Sequence, residues 1–144
     1  MSGGTLIVGL GNPDRGDDAA GIQTARRLSG HLRAHEITDC SKLLDLWAGE
    51  TSCTVIDATR SGADPGTVTT FDGLAETLPA DTFRSTHTLG LRDVVELGRA
   101  IGRLPECLIV FGIEGATFEL GKPMSPAVEE AVESLVASLA ERGA

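Results

Sequence analysis

The sequence predicts an α/β fold: a single domain, a mostly parallel, twisted sheet of about five strands, and helices on both faces. Three observations predict it. Short apolar runs alternate with longer stretches of helical spacing, the pattern of strand–helix–strand units. Most of those runs are continuous rather than alternating, as strands covered on both faces are. The chain also holds 18 glycines in 144 residues, many for a helical bundle but suited to tight strand–helix turns. With no linker, repeat or low-complexity stretch, residues 1–144 read as one domain, long enough for a core.

The elements follow in order. Leu6, Ile7 and Val8 read as a buried strand that breaks at Gly9-Leu10-Gly11-Asn12-Pro13, a cluster of turn formers. Ile22, Ala25, Leu28 and Leu32 then recur at helical spacing among Arg26, Arg27 and Arg33, predicting an amphipathic helix over residues 18–34. Residues 36–39 read as a short strand. Leu43, Leu44, Leu46 and Trp47 form a short helix ending near Gly49. Residues 53–56 are a second buried strand, which ends on Asp57. After a turn at Gly62, Asp64, Pro65 and Gly66, the β-branched alternation of residues 67–71 predicts a strand suited to a sheet edge.

Residues 73–85, with Phe83 near their end, are the longest loop and a candidate contact for a partner. Leu91, Val94, Val95, Leu97 and Ile101 mark a second long helix, and residues 107–113 are the strongest strand in the chain. Beyond a loop at 115–124, Ser125 and Pro126 start the last helix, Ser as cap and Pro in the first turn. Val128, Val132, Leu135, Val136 and Leu139 carry it.

A net charge of −9 argues against nucleic acid and anionic membrane surfaces as partners. No apolar stretch approaches the ~18 residues of a membrane span, and no signal-peptide pattern opens the chain, so a cytoplasmic location is expected. The three cysteines form no C-x-x-C pair. Cys53 and Cys107 each open an apolar run and are expected to be buried strand thiols.

The chemistry concentrates where strands end. The first loop is not a dinucleotide fingerprint: the third glycine position holds Asp14. Asp14, Asp17 and Asp18 face a single Arg15, the wrong sign for phosphate and the right one for a cation. The competing role for Asp17 and Asp18 is to cap the helix and complement its dipole. In a parallel sheet, Asp18 and Asp57 lie on one edge, at strand carboxyl ends, where open α/β sheets bind ligands. His87, at a helix start after the long loop, is placed to approach the same edge. Two carboxylates and an imidazole suit nickel, zinc or iron better than magnesium or calcium. Turn capping by Asp57 and a polar helix start at His87 are the structural alternatives. His31 and His35, among the arginines, read as solvated. No G-x-S-x-G, Cys–His pairing or H-E-x-x-H occurs. Spacing alone supports an α/β domain with a candidate metal site, and no more.

At these residues the sequence resembles the hydrogenase maturation proteases, endopeptidases that process the large subunit of [NiFe]-hydrogenases. Gly9-Leu10-Gly11-Asn12, Asp17-Asp18 and Gly21 are similar to the family's opening signature. Val55-Ile56-Asp57-Ala58 with Pro65-Gly66 resembles its second motif, and Ser85-Thr86-His87 with Leu91 its histidine motif. Gly112-Ile113-Glu114, Leu120-Gly121 and Ser125-Pro126-Ala127-Val128 resemble its C-terminal pattern. Asp18 stands where the family often has Glu, and Asp39-Cys40-Ser41 where it usually has a glycine-rich Asp-Gly-Gly-Thr.

The resemblance implies an endopeptidase that removes a C-terminal extension from a hydrogenase large-subunit precursor after nickel insertion. It implies that the nickel belongs to the precursor and is read through Asp18, Asp57 and His87. Water would be activated by Asp18 or Asp39, or by the metal itself. Two other classes stay open: a hydrolase with its own permanent metal, and a non-catalytic nickel-binding assembly factor.

Overall fold

The computed structural model describes residues 4–83 and 89–143. Among these residues five strands and four α-helices follow one another: β1 (Leu6–Leu10), α1 (Ala20–Leu28), β2 (Ala34–Ile37), α2 (Leu43–Leu46), β3 (Ser52–Thr59), β4 (Val68–Asp72), α3 (Leu91–Ile101), β5 (Cys107–Glu114) and α4 (Pro126–Gly143). The sheet order is β2-β1-β3-β5-β4. β2, β1, β3 and β5 are parallel, and β4 closes the far edge antiparallel to β5.

Alternation along the strands divides the core. Leu6, Val8, Cys53, Val55, Leu108 and Val110 face α2 and α3, where Trp47, Leu91, Val94 and Val95 cover them. Ile7, Ile56, Phe111 and Ile113 face the other side, under Ala20 and Leu28 of α1 and Val128, Val132 and Leu135 of α4. The expected parallel sheet, its edge strand and the helices on both faces are therefore present.

Three boundaries differ from the sequence reading, and one is the strand expected to end on Asp57: β3 runs on to Thr59, paired with β5 to its end. The first helix stops at Leu28 rather than running to residue 34. The Ser29 hydroxyl donates to the Arg26 carbonyl, Gly30 follows, and the chain must extend so that the Arg33 carbonyl can accept from Ile7. Leu32 continues the helical spacing but packs onto the α4-side core from the connection. The short strand accordingly begins at Ala34, two residues early, paired Ile7 to Ala34 through Leu10 to Ile37. In α3 the buried face is Leu91, Val94, Val95 and Gly98, while Leu97 and Ile101 are exposed.

Cys53 is buried as expected, but Cys107 is exposed at the first position of β5. His31 and His35 are exposed. The described part of the long loop is tied down. Leu78 is buried, and the Arg99 guanidinium donates to the carbonyls of Gly73, Leu74 and Glu76.

Candidate active site at the carboxyl edge of the sheet

The site begins with backbone packing. A Cβ on Gly21 would lie 2.2 Å from the Ile56 carbonyl oxygen and 2.5 Å from that of Leu10. One on Gly9 would lie 2.1 Å from the Gly21 oxygen. The pair lets α1 rest directly on β1 and β3, which fixes where the preceding 3₁₀ turn (Gly16–Ala19) presents Asp18. Gly11, at φ 139°, makes the turn out of β1, and its amide neighbour Asn12 donates to Asp18 Oδ2 at 3.1 Å.

Asp57 arrives from β3. That strand outruns β1, whose last pairing with it is Gly9 to Ile56, so Asp57 is the first β3 residue past it. Asp57 is 4% exposed. Its Oδ1 accepts from the Ala58 amide at 2.8 Å. Burial, and next the negative charge of Asp18, push its carboxyl well above the usual carboxylate range against that one hydrogen bond. Asp18 and Asp57, expected on one edge, are thus near enough to couple there.

Asp39 follows β2 on the same edge. Its Oδ1 accepts from the Ser41 amide (3.0 Å) and hydroxyl (2.8 Å), capping the 3₁₀ turn Cys40–Lys42. The buried Cys40 donates its thiol to the Leu89 carbonyl at 3.0 Å. Burial first, then the charges of Asp57 and Asp39, push that thiol up to about 11. His87 lies outside the described residues. The chain before it is anchored by a bridge between Phe83 and Thr59 and by the Arg60 amide on the Thr82 carbonyl (2.7 Å). The chain after it is anchored by Leu89 on Cys40.

Two buried carboxylates do work that the sequence did not suggest. Asp17 is fully buried and accepts from the amides of Ala116 (2.7 Å), Thr117 (3.1 Å) and Ser125 (2.6 Å) and from the Ser125 hydroxyl (2.7 Å). It sews the β1–α1 loop to the β5–α4 loop and does not join the cation-facing set. Ser125 therefore gives its hydroxyl to Asp17. Glu114, at the end of β5, accepts from the Thr59 and Ser61 hydroxyls and the Ser61 and Gly62 amides. Burial pushes its carboxyl up, but these donors outweigh burial and hold it below the ordinary value.

The arrangement can receive a divalent cation on two carboxylates, one of them desolvated. Among the described residues no group of three or more His, Cys, Asp and Glu gathers to hold a metal.

Comparison with known proteins identifies the fold. The family model HycI, hydrogenase maturation protease, matches residues 38–142. The chain belongs to the hydrogenase maturation protease family. A similar solved structure is the [NiFe] hydrogenase maturation protease HybD from Thermococcus kodakarensis, with 29% identity and a TM-score of 0.75 over 97% of this chain and 99% of that one. HycI from Thermococcus kodakarensis KOD1 shares 27% identity, with a TM-score of 0.72 over 96% and 91%. The Escherichia coli hydrogenase maturating endopeptidase HybD shares 26%, with a TM-score of 0.70 over 96% and 93%. No curated protein matches. As a hydrogenase maturation protease, the chain is a peptide hydrolase. No helix among its described residues is long and apolar enough to cross a membrane.

Proposed function

We propose that the chain removes a C-terminal extension from the precursor of a [NiFe]-hydrogenase large subunit after nickel insertion, and that it reads the nickel as part of the substrate. The observation that carries this is Asp57, a buried carboxylate held beside a second carboxylate, Asp18, at the open edge of the sheet. Such a pair is unfavourable alone and becomes favourable when a divalent cation arrives. Asp18, Asp57 and His87 then contact nickel that the precursor's own groups also hold. Three protein donors leave coordination positions for the substrate. Anchored so, the scissile bond is held near the carboxylates, and positioning supplies much of the rate. Water is activated by Asp18 or Asp39, or by the nickel itself. The free thiols Cys40, Cys53 and Cys107 suit a reducing compartment, and the cytoplasm is the proposed location.

The test is a variant series on nickel-loaded precursor, read by intact mass. Asp18→Ala, Asp57→Ala and His87→Ala should each abolish release of the C-terminal peptide while the proteins remain folded. Full cleavage by Asp57→Ala and His87→Ala would refute nickel reading by these residues. Asp39→Asn distinguishes the base: kcat kept to within about twofold leaves Asp39 only its capping role, and a loss of about a hundredfold or more assigns it water activation.

A further inference from the structure

Among the described residues, β4 leaves one edge of the sheet open. It pairs with β5 on one side, and four of its five residues are exposed. The Gly73 amide on the Leu108 carbonyl and the Glu114 amide on the Thr67 carbonyl fix which residues bond to β5. By that alternation, Val68, Thr70 and Asp72 turn their backbone groups outward. The Asp72 amide is taken by Glu76 (2.9 Å). The amides and carbonyls of Val68 and Thr70 have no partner among the described residues. Natural edges are usually guarded by lysine, proline or a bulge, and Val68-Thr69-Thr70 has none of these.

A groove of about 520 Å³ lies beside this edge, between β4 and α4. Val68, Ala127, Ala131 and Leu135 line it, with Glu130 and Ser134 among its polar groups. A strand added to β4 would turn alternate side chains into that groove. Asp64 precedes β4 and Asp72 ends it, so with Glu130 the surroundings are acidic. A second copy of this chain would bring the same charges together, whereas a basic segment would be attracted. The edge is also continuous with the active site. Val68 pairs with Ile113, the residue before Glu114, and Glu114 pairs with Thr59, two residues past Asp57.

We infer that β4 binds an extended segment of the precursor as an added strand, apolar side chains in the β4–α4 groove and basic ones toward Glu130. This rests on the proposed function and names the surface by which the polypeptide is held apart from its nickel. The probe is a synthetic peptide of the precursor's C-terminal extension, added to the full chain and followed by amide hydrogen exchange. The Val68 and Thr70 amides should slow by about tenfold or more when it binds. In cleavage of nickel-loaded precursor, Thr70→Pro, which removes one outward donor from an edge position, should raise KM about 3- to 10-fold, the loss falling on KM rather than kcat. Glu130→Lys, on the exposed face of α4, should act in the same direction and guards against misfolding of the strand variant.

Unchanged exchange at Val68 and Thr70 together with unchanged KM in both variants would overturn the inference. Protection that appears without peptide and grows with protein concentration would assign the edge to a second copy and also overturn it. If wild-type protein cut no precursor, the proposed function would fall, while peptide protection at β4 would still report on the edge by itself.

Discussion

Asp57 sits in an environment that opposes its own charge. Its raised pKa has a stability consequence of definite sign. Between the ordinary carboxylate range and its raised value, folded Asp57 keeps a proton that the unfolded chain has lost. Its contribution to folding therefore weakens as pH rises through that window, and the full penalty is present above it. Asp57→Asn should raise Tm at pH 7, the gain shrinking toward pH 4, while cleavage is lost. Thermal melts at the two pH values beside a cleavage assay check this. Equal or lower stability at pH 7 would mean the carboxylate is not strained there. Asp18 and Asp57 could be picked out in the sequence because one lies in the loop after an apolar run and the other closes one. Asp17 was not, because its partners lie 99 to 108 residues away, and nothing local distinguishes an anchoring carboxylate from a ligand.

At the scale of elements, buried acids tie the end of β5 and the loop after it to the segments that follow β1 and β3. Asp17→Ala would strand three amides and a hydroxyl, and should cost about 2–4 kcal/mol in denaturant unfolding. Ser125→Ala removes only the hydroxyl and should cost about 1 kcal/mol. A loss for Asp17→Ala no larger than that of Ser125→Ala would contradict its anchoring of the β5–α4 loop. Glu114 works with the opposite sign from Asp57. Its folded pKa is lowered, so its stabilisation is present above the unfolded value and lost as pH falls through the folded one. Glu114→Gln should flatten the acid side of the stability profile below about pH 4.5, read by melts from pH 3 to 7. The buried strands β1, β3 and β5 were legible because both faces are apolar. β2 was misplaced by two residues because its four residues carry little apolar signal and its register is set by pairing with β1. The same pairing demand ended α1 early.

The whole molecule is a mostly parallel sheet whose carboxyl edge gathers acidic side chains from separate elements, with one antiparallel strand, β4, paired to β5 at its far side. The class of fold and the candidate edge could be read from alternating patterns. The order β2-β1-β3-β5-β4 could not, because it depends on which distant strands find each other. This scale also explains the short path from one motif to the next. Gly9 and Gly21 bring α1 against β1 and β3, and that contact brings Asp18 to Asp57. Replacing Gly21 with Ala should therefore reduce cleavage as well as stability, since its methyl would meet the Ile56 and Leu10 carbonyls. The most direct measurement is intact mass of one cognate precursor, prepared with and without nickel and incubated with wild-type protein. Release of the C-terminal peptide only from the nickel-loaded form is the expected result. Equal cleavage of both forms would contradict the claim that the protease reads nickel carried by its substrate.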